Sequence, residues 1–458
     1  MDPSGTLQLR TIGHACLLIL ENGEPILATD PWLIGSVYWR SWWLEKYPSE
    51  DDIDVVRRSR CLYITHSHLD HFHWPSLRRL GPHRVLHPAF PNYAIPGFLE
   101  SHGFRNRTLA PLTWYSLSDK VRVCSVPVPF DDSIMIVDTP DAVIFNINDA
   151  APRRVLLERI RQTFNPTAKT AIALKSYSPA SAAALTFQNG VRTPLKTKKD
   201  FAQVAINIAN ALGADYFVPF ASQAFFNRED SKWANDHKVT YENLKDYWTG
   251  TKAKLCQPFV TMDLKSFAWT SDYDAVKRSL TDAQVARVHE EEEQEKSFVW
   301  PEQDIIKLKN YLDEIYFLRW LYRRGIGWRL TSSGRELFYR SKTRTIETAI
   351  PEEHDFIISL PDKVLDDALN NGILTDLGIT LFVRVDTKIN LKLSYLFFIL
   401  MNLRDYGHFK SARDFLDIVR FYLPVVFPKL FRIAPKTDKP LAIAFEAARY
   451  RLRDDKPH

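Results

Sequence analysis

Cysteine is scarce in this chain: four residues among 458, Cys16, Cys61, Cys124 and Cys256, lie far apart with no Cys-x-x-Cys pair. That spacing excludes a disulfide framework, a zinc ribbon and a cysteine-held iron–sulfur site, and it fits reduced thiols in a cytoplasmic protein. No apolar run reaches the roughly 20 residues that a membrane-spanning helix needs; the greasiest stretch, 393–403, is much shorter and reads as a buried helix. Met1-Asp2-Pro3-Ser4-Gly5 offers no basic region leading into an apolar core, so no secretory signal is expected. Charge of one sign is not concentrated either. The 60 Lys and Arg against 55 Asp and Glu leave a net +5, dispersed along the chain, and no basic stripe of the kind that binds nucleic acid stands out. Internal repeats and low-complexity tracts are absent.

What is present is concentrated at one place. The apolar run Cys61-Leu62-Tyr63-Ile64 leads directly into His66-Ser67-His68-Leu69-Asp70-His71. A short buried strand ending in this pattern puts two imidazoles on one side of a turn and a carboxylate plus an imidazole on the other. One loop can then hold two cations roughly 3.5–4 Å apart. Nitrogen and oxygen donors of this kind suit Zn, Fe, Mn or Ni better than Mg or Ca. The bland alternative is a merely solvated polar loop, which four metal-capable groups within six residues disfavour.

Around this motif the first half reads as strands with helices between them. Runs begin at Leu7, Ala15, Pro25, Arg84, Val121, Ile134, Ala142 and Tyr216, with Asn22-Gly23 as a hairpin turn and a helix from Ala202 to a C-cap at Gly213. Strands alternating with helices, and chemistry at strand ends, predict a layered α/β sandwich. Composition shifts near Trp269. The segment 271–344 reads as a charged helical connector carrying the acidic run Glu290-Glu291-Glu292-Glu293, and 345–458 as a mostly helical α+β accessory domain, leaving 1–270 as the catalytic domain.

The loop motif, with Gly13-His14-Ala15 and Asp30-Pro31-Trp32-Leu33 upstream, resembles the metallo-β-lactamase superfamily, which implies an αββα sandwich. Asp30-Pro31-Trp32-Leu33-Ile34-Gly35, Trp42-Trp43-Leu44, Asn146-Ile147-Asn148-Asp149 and Pro219-Phe220-Ala221 are also similar to the catalytic part of the cytidine monophosphate N-acetylneuraminic acid hydroxylases. A weaker similarity, in Gly13-His14-Ala15 and Asp30-Pro31, is to the lactonase and phospholipase branches of the fold. The resemblance implies His66, His68, Asp70 and His71 as metal ligands and Asp149 as a bridging carboxylate. The later histidines of the family are missing. Asp131 and Asp132 stand nearest to the place of the first, and Glu229, Asp230 or His237 are the candidates for the second. Exchange of imidazoles for carboxylates favours iron or manganese over zinc and resembles the di-iron β-hydroxylase of chloramphenicol biosynthesis.

Other residues carry alternatives. His14 is a substrate or proton-transfer group or a structural histidine, and Asp70 would orient a nucleophile as well as bind metal. Asp30 reads as a turn former that also orients a ligand histidine. His73 is a helix-start or functional residue. Trp32, Tyr38, Trp39, Trp42 and Trp43 are core or pocket lining, with core favoured. Lys175, Arg228 and Lys232 are possible anchors for an acidic substrate group. Three functions follow. The favoured one is a dinuclear iron oxygenase using O2 on a small-molecule or carrier-bound substrate. The sialate hydroxylases carry a Rieske domain as electron source; this sequence has no Cys-x-His pair, so a separate reductase or ferredoxin, or the substrate itself, would supply electrons. The second is a zinc or manganese hydrolase of phosphoesters, lactones or amides. The third is a non-catalytic module with a relic metal site, docking through the helix near 391–403.

Overall fold

The computed structural model describes residues 6–426 except 92–93, 130–131, 166, 180–185, 189–190, 193–196, 277–278, 316 and 406–411. Two sheets face each other in the first part of the chain. One has eight strands, in spatial order Trp269–Ser271, Val260–Asp263, Leu7–Ile12, Cys16–Glu21, Glu24–Thr29, Leu62–Tyr63, Arg84–Pro88 and Arg105–Leu109. The other has seven: Lys254–Leu255, Tyr216–Pro219, Thr170–Lys175, Ala142–Asn148, Asp132–Asp138, Arg122–Val128 and Trp114–Ser116.

The period of two along a strand explains the layering. In Cys16–Glu21, Leu17 and Ile19 enter the core between the sheets, whereas Cys16, Leu18 and Leu20 face an outer core. That outer core is closed by Ile53 and Val56 of helix Glu50–Arg57, Leu77 and Leu80 of Trp74–Leu80, and Ile95 and Leu99 of Ile95–Ser101. In Ala142–Asn148 the same alternation sends Ala142 and Ile144 inward and Val143, Phe145 and Ile147 outward, against helices Arg154–Phe164 and Lys198–Leu212. The result is a helix–sheet–sheet–helix sandwich, with its central strands buried on both faces. Helix Lys198–Leu212 starts in a capping box made by Thr197 and Asp200 and stops at Gly213, whose φ of +62° permits the left-handed C-cap. Asn22 and Gly23, at φ +56° and +81°, turn the hairpin between the strands on either side.

A third sheet occupies the later part of the chain, in order Val191–Arg192, Thr186–Gln188, Arg384–Thr387, Phe356–Leu360, Ile326–Leu330, Glu336–Arg340 and Thr345–Glu347. This sheet crosses the boundaries expected from composition. The segment 271–344 is helical over Asp282–Ser297, Ile305–Asp313 and Leu318–Leu321, but its last part enters the sheet, with Ile326 to Leu330 pairing in parallel with Phe356 to Leu360. Gly327 lies in a tight strand: a Cβ there would meet Ile350 at 2.9 Å and Ile357 at 3.0 Å. Thr186 to Gln188, from the N-terminal half, pair with Val385 to Thr387, so the two halves are sewn together through a sheet.

One large core also joins them. It contains Trp32, Val37, Tyr38, Trp42 and Phe226 from the first part and Trp300, Trp328, Phe356, Phe397 and Met401 from the second. The aromatic cluster near residue 40 is therefore mainly core. Helix Leu391–Asp405 packs Phe397 and Met401 into it and leaves Leu393 and Ile399 exposed. Among the described residues, no helix is long and apolar enough to cross a membrane.

Candidate metal centre

Strand Leu62–Tyr63 is short because its neighbours pair with only two of its residues; the chain then leaves the sheet as a loop whose side chains turn toward the second sheet. Asp30, at the end of Glu24–Thr29 and with φ +37°, fixes that loop from below. Its carboxylate accepts from the Thr65 N–H at 2.8 Å and the Thr65 hydroxyl at 2.7 Å, and lies 3.1 Å from His71 Nδ1. Asn148, from the second sheet, donates to Asp30 at 3.2 Å and to Thr65 Oγ1 at 2.7 Å. Asp30 thus orients the His71 ring and presents its Nε2 to the site, the role expected for it.

His71 Nε2 lies 3.3 Å from Asp70 Oδ2 and 3.3 Å from Asp149 Oδ2. His14 Nε2, arriving from the turn after Leu7–Ile12, lies 3.2 Å from the same Asp70 oxygen. His66 Nε2 is 2.9 Å from His68 Nδ1, and His66 Nδ1 is 3.5 Å from Asp132 Oδ1 at the start of its strand. His14, Asp70 and His71 form one group whose donor atoms lie within 4.8 Å of one another, and His66, His71 and Asp149 form a second. His71 belongs to both. Its Nδ1 is taken by Asp30, so its single free lone pair can serve one cation at a time.

The donor set fits a bound cation. His71 Nε2 and both ring nitrogens of His14 are buried without a hydrogen-bond partner among the described residues, although carboxylate oxygens are close. Buried polar atoms normally find partners, and a metal ion would satisfy these. The electrostatics agree. Burial pulls the His71 ring toward neutrality, but Asp70, Asp149 and Asp30 outweigh it and hold its pKa well above the ordinary value. Burial likewise opposes ionisation of Asp70, yet His71 and His14 hold it well below the usual carboxylate range. Asp149 is lowered against burial by His71. Asp132 is pushed up to about 8, by burial first and then by Asp149. Burial and then His71 and His68 keep His66 well below its ordinary value, and burial lowers His68. The carboxylates crowded around His71 and the neutral His66 and His68 suit a cation electrostatically.

Several further residues find their places. Asp131 lies outside the described residues. Glu229, Asp230 and His237 are turned to other tasks: Glu229 pairs with Lys232, Asp230 with Arg228, and the exposed His237 packs on Trp233. His73 stands at the N-cap position of helix Trp74–Leu80 without a side-chain cap bond, and its Nδ1 lies 2.7 Å from Ser76 Oγ. Lys175 is buried, donating to the Asn148 carbonyl at 2.8 Å, and burial lowers its pKa against the pull of Asp149 and Asp132. Sequence reasoning missed the part played by Tyr38, whose hydroxyl donates to Asp70 Oδ1 at 2.5 Å. Nothing in the local sequence announces that contact, because the two residues meet only through the tertiary fold.

No protein-family model matches the chain. Among curated proteins it is similar to cytidine monophosphate-N-acetylneuraminic acid hydroxylase from Danio rerio, 32% identical over 155 residues, covering 32% of this chain and 26% of that protein. The protein of the same name from Pongo pygmaeus is 24% identical over 246 residues, covering 53% of this chain and 37% of its own length. Among solved structures, a mutant of the CmlA beta-hydroxylase superposes with a TM-score of 0.38 at 18% identity, over 57% of this chain and 54% of that one. The metallo-beta-lactamase fold protein YhfI from Bacillus subtilis superposes with a TM-score of 0.36 at 10% identity, over 57% and 99%. Superpositions at that level carry no functional argument. The two facing sheets with helices outside them agree with the αββα sandwich expected from the loop motif. The curated relatives quoted are named as hydroxylases, and the chain spans well under half of their length.

Proposed function

We propose that this chain is a dinuclear metalloenzyme and that, of the chemistries its superfamily supports, it oxidises or hydroxylates a small-molecule or carrier-bound substrate with O2. The observation that carries the reading is the pair of buried donor groups, His14, Asp70 and His71 in one and His66, His71 and Asp149 in the other, with Asp132 3.5 Å from His66; imidazoles mixed with several carboxylates suit iron or manganese. His14, Asp70 and His71 would hold one cation, and His66 and Asp149 would contribute to the other, with His68 beside His66 Nε2. A pair of iron ions bound there would supply activation of O2, and electrons would come from an external donor. The chain's own residues orient and shield. Asp30 fixes the His71 ring, Lys175 sets a positive charge against Asp149 and Asp132, and Tyr38 holds one oxygen of Asp70. The test is O2 consumption by protein reconstituted with iron, supplied with a chemical reductant and a panel of amino-acyl and sugar-nucleotide substrates. Turnover-linked O2 uptake that vanishes on Asp149→Ala supports the reading, and iron-loaded protein inert to O2 and reductant contradicts it.

A hydrolase is the second reading, and one observation favours it. With His14, the cation at Asp70 and His71 would have two imidazoles and a carboxylate, close to what a zinc site usually keeps. Zinc- or manganese-loaded protein that cleaves phosphodiester or lactone substrates would select it.

A further inference from the structure

Residues Tyr38, Trp39 and Arg40 all have positive φ, +52°, +51° and +65°, and the Ser41 N–H donates to the Tyr38 carbonyl at 3.0 Å. Three bulky L-residues therefore form a single left-handed turn, a conformation that costs energy at each position and persists only where its surroundings enforce it. Two sets of contacts enforce this one. On one side, the Tyr38 hydroxyl donates to Asp70 Oδ1 at 2.5 Å, leaving Oδ2 to face His14 and His71. On the other, helix Asp282–Ser297 clamps the turn. Arg40 reaches Glu295 at 2.6 Å and Glu291 at 3.5 Å, while Arg228 donates to both Glu295 oxygens, at 2.6 and 2.7 Å, and to the Trp39 carbonyl at 3.3 Å. Ser41 is tied to the Thr380 carbonyl at 2.5 Å. Glu295 is the buried residue of an otherwise solvated acidic helix, so its burial is spent on this contact.

We infer that Tyr38 is a positioning residue for the metal ligand Asp70, held in place by the strained turn that Glu295 of helix Asp282–Ser297 clamps through Arg40 and Arg228. The phenol fixes which carboxylate oxygen meets the cation, and the acidic helix, far along the chain, maintains the phenol. The inference rests on the reading that this cluster binds metal.

The experiment titrates the metal-free full chain with Co(II), following its visible absorption bands and its dissociation constant by chelator competition. Tyr38→Phe should weaken cobalt binding about tenfold and change the band pattern. Glu295→Gln and, more gently, Arg40→Gln should each weaken it several-fold with the same spectral change. Combining either with Tyr38→Phe should add nothing further, because all three act through one contact. Arg40→Gln keeps the Arg228–Glu295 pair, so it reports even if Glu295→Gln fails to fold. Folded turn variants with wild-type affinity and spectrum, or effects that add fully to Tyr38→Phe, overturn the inference. Wild-type protein that binds no cobalt overturns the metal-site reading itself.

Discussion

The sandwich and the junction beside it bury apolar side chains in different ways. In the sandwich, alternation along a strand divides residues cleanly between inner and outer layers, even though the inner core gathers residues from Leu7 to Leu264. At the junction, Trp32, Tyr38 and Trp42 share one core with Trp300, Trp328 and Met401, and the strands Thr186–Gln188 and Val191–Arg192 join a sheet whose other strands begin at 326. The sandwich can be read locally. The junction exists only when both ends of the chain are present, and it reaches the metal centre through Tyr38.

Cutting the chain after residue 270 breaks this comparison most severely. Exposing Trp32, Val37, Tyr38, Trp42 and Phe226 would forfeit about 1.5–3 kcal/mol for each large side chain, a total comparable to a whole domain's stability. The fragment should be insoluble or lack a cooperative thermal transition. A fragment that melts cooperatively near the full chain's temperature would show the halves to be independent.

Asp30→Ala attacks the sandwich from within. It strands the Thr65 N–H and leaves His71 without the carboxylate that orients it, which should cost about 3–5 kcal/mol in denaturant unfolding. Metal affinity should fall with it.

Asp405 probes the accessory unit by pH. Its carboxylate accepts from Tyr311 at 2.7 Å and from the Thr375 N–H at 3.0 Å, yet burial pushes its pKa up to about 6. An acid whose pKa is raised on folding contributes stability that is fully present below the unfolded value of about 3.9 and lost as pH rises through about 6. Between pH 7 and pH 4, wild type should therefore gain ~2–3 kcal/mol on Asp405→Asn. A difference independent of pH would contradict the assignment. The smallest effect belongs to the exposed Arg154–Glu158 pair on an outer helix: Arg154→Ala should change unfolding free energy by only about 0.3–0.5 kcal/mol, and less in high salt.

What is legible in the sequence follows the same division. The loop at 66–71 after a short strand, the Asn22-Gly23 hairpin, the Gly213 cap and the inner strands are local signals, carried by spacing, turn chemistry and period-two burial. The role of Asp30 is also readable, since an Asp-Pro ending a strand next to a ligand loop has few other uses. The strands Ile326–Leu330 and Thr186–Gln188 are not: besides a near antiparallel partner, each has a parallel one tens or hundreds of residues away, and Gly327 interrupts the β pattern of the first. His14 stands out as a candidate, but its convergence with Asp70 depends on the tertiary packing between its turn and the ligand loop. The late candidates Glu229, Asp230 and His237 rest on chain position alone, and local ion pairs and a tryptophan hold them instead.

The central claim is a two-metal centre of mixed imidazoles and carboxylates loaded with iron. Metal content per chain by plasma mass spectrometry, on protein purified anaerobically without added metal or chelator, tests it most directly. The account predicts about two irons per chain, lost when His68 and Asp70 are both replaced by alanine. Zinc or manganese in place of iron, or no bound metal at all, would contradict it.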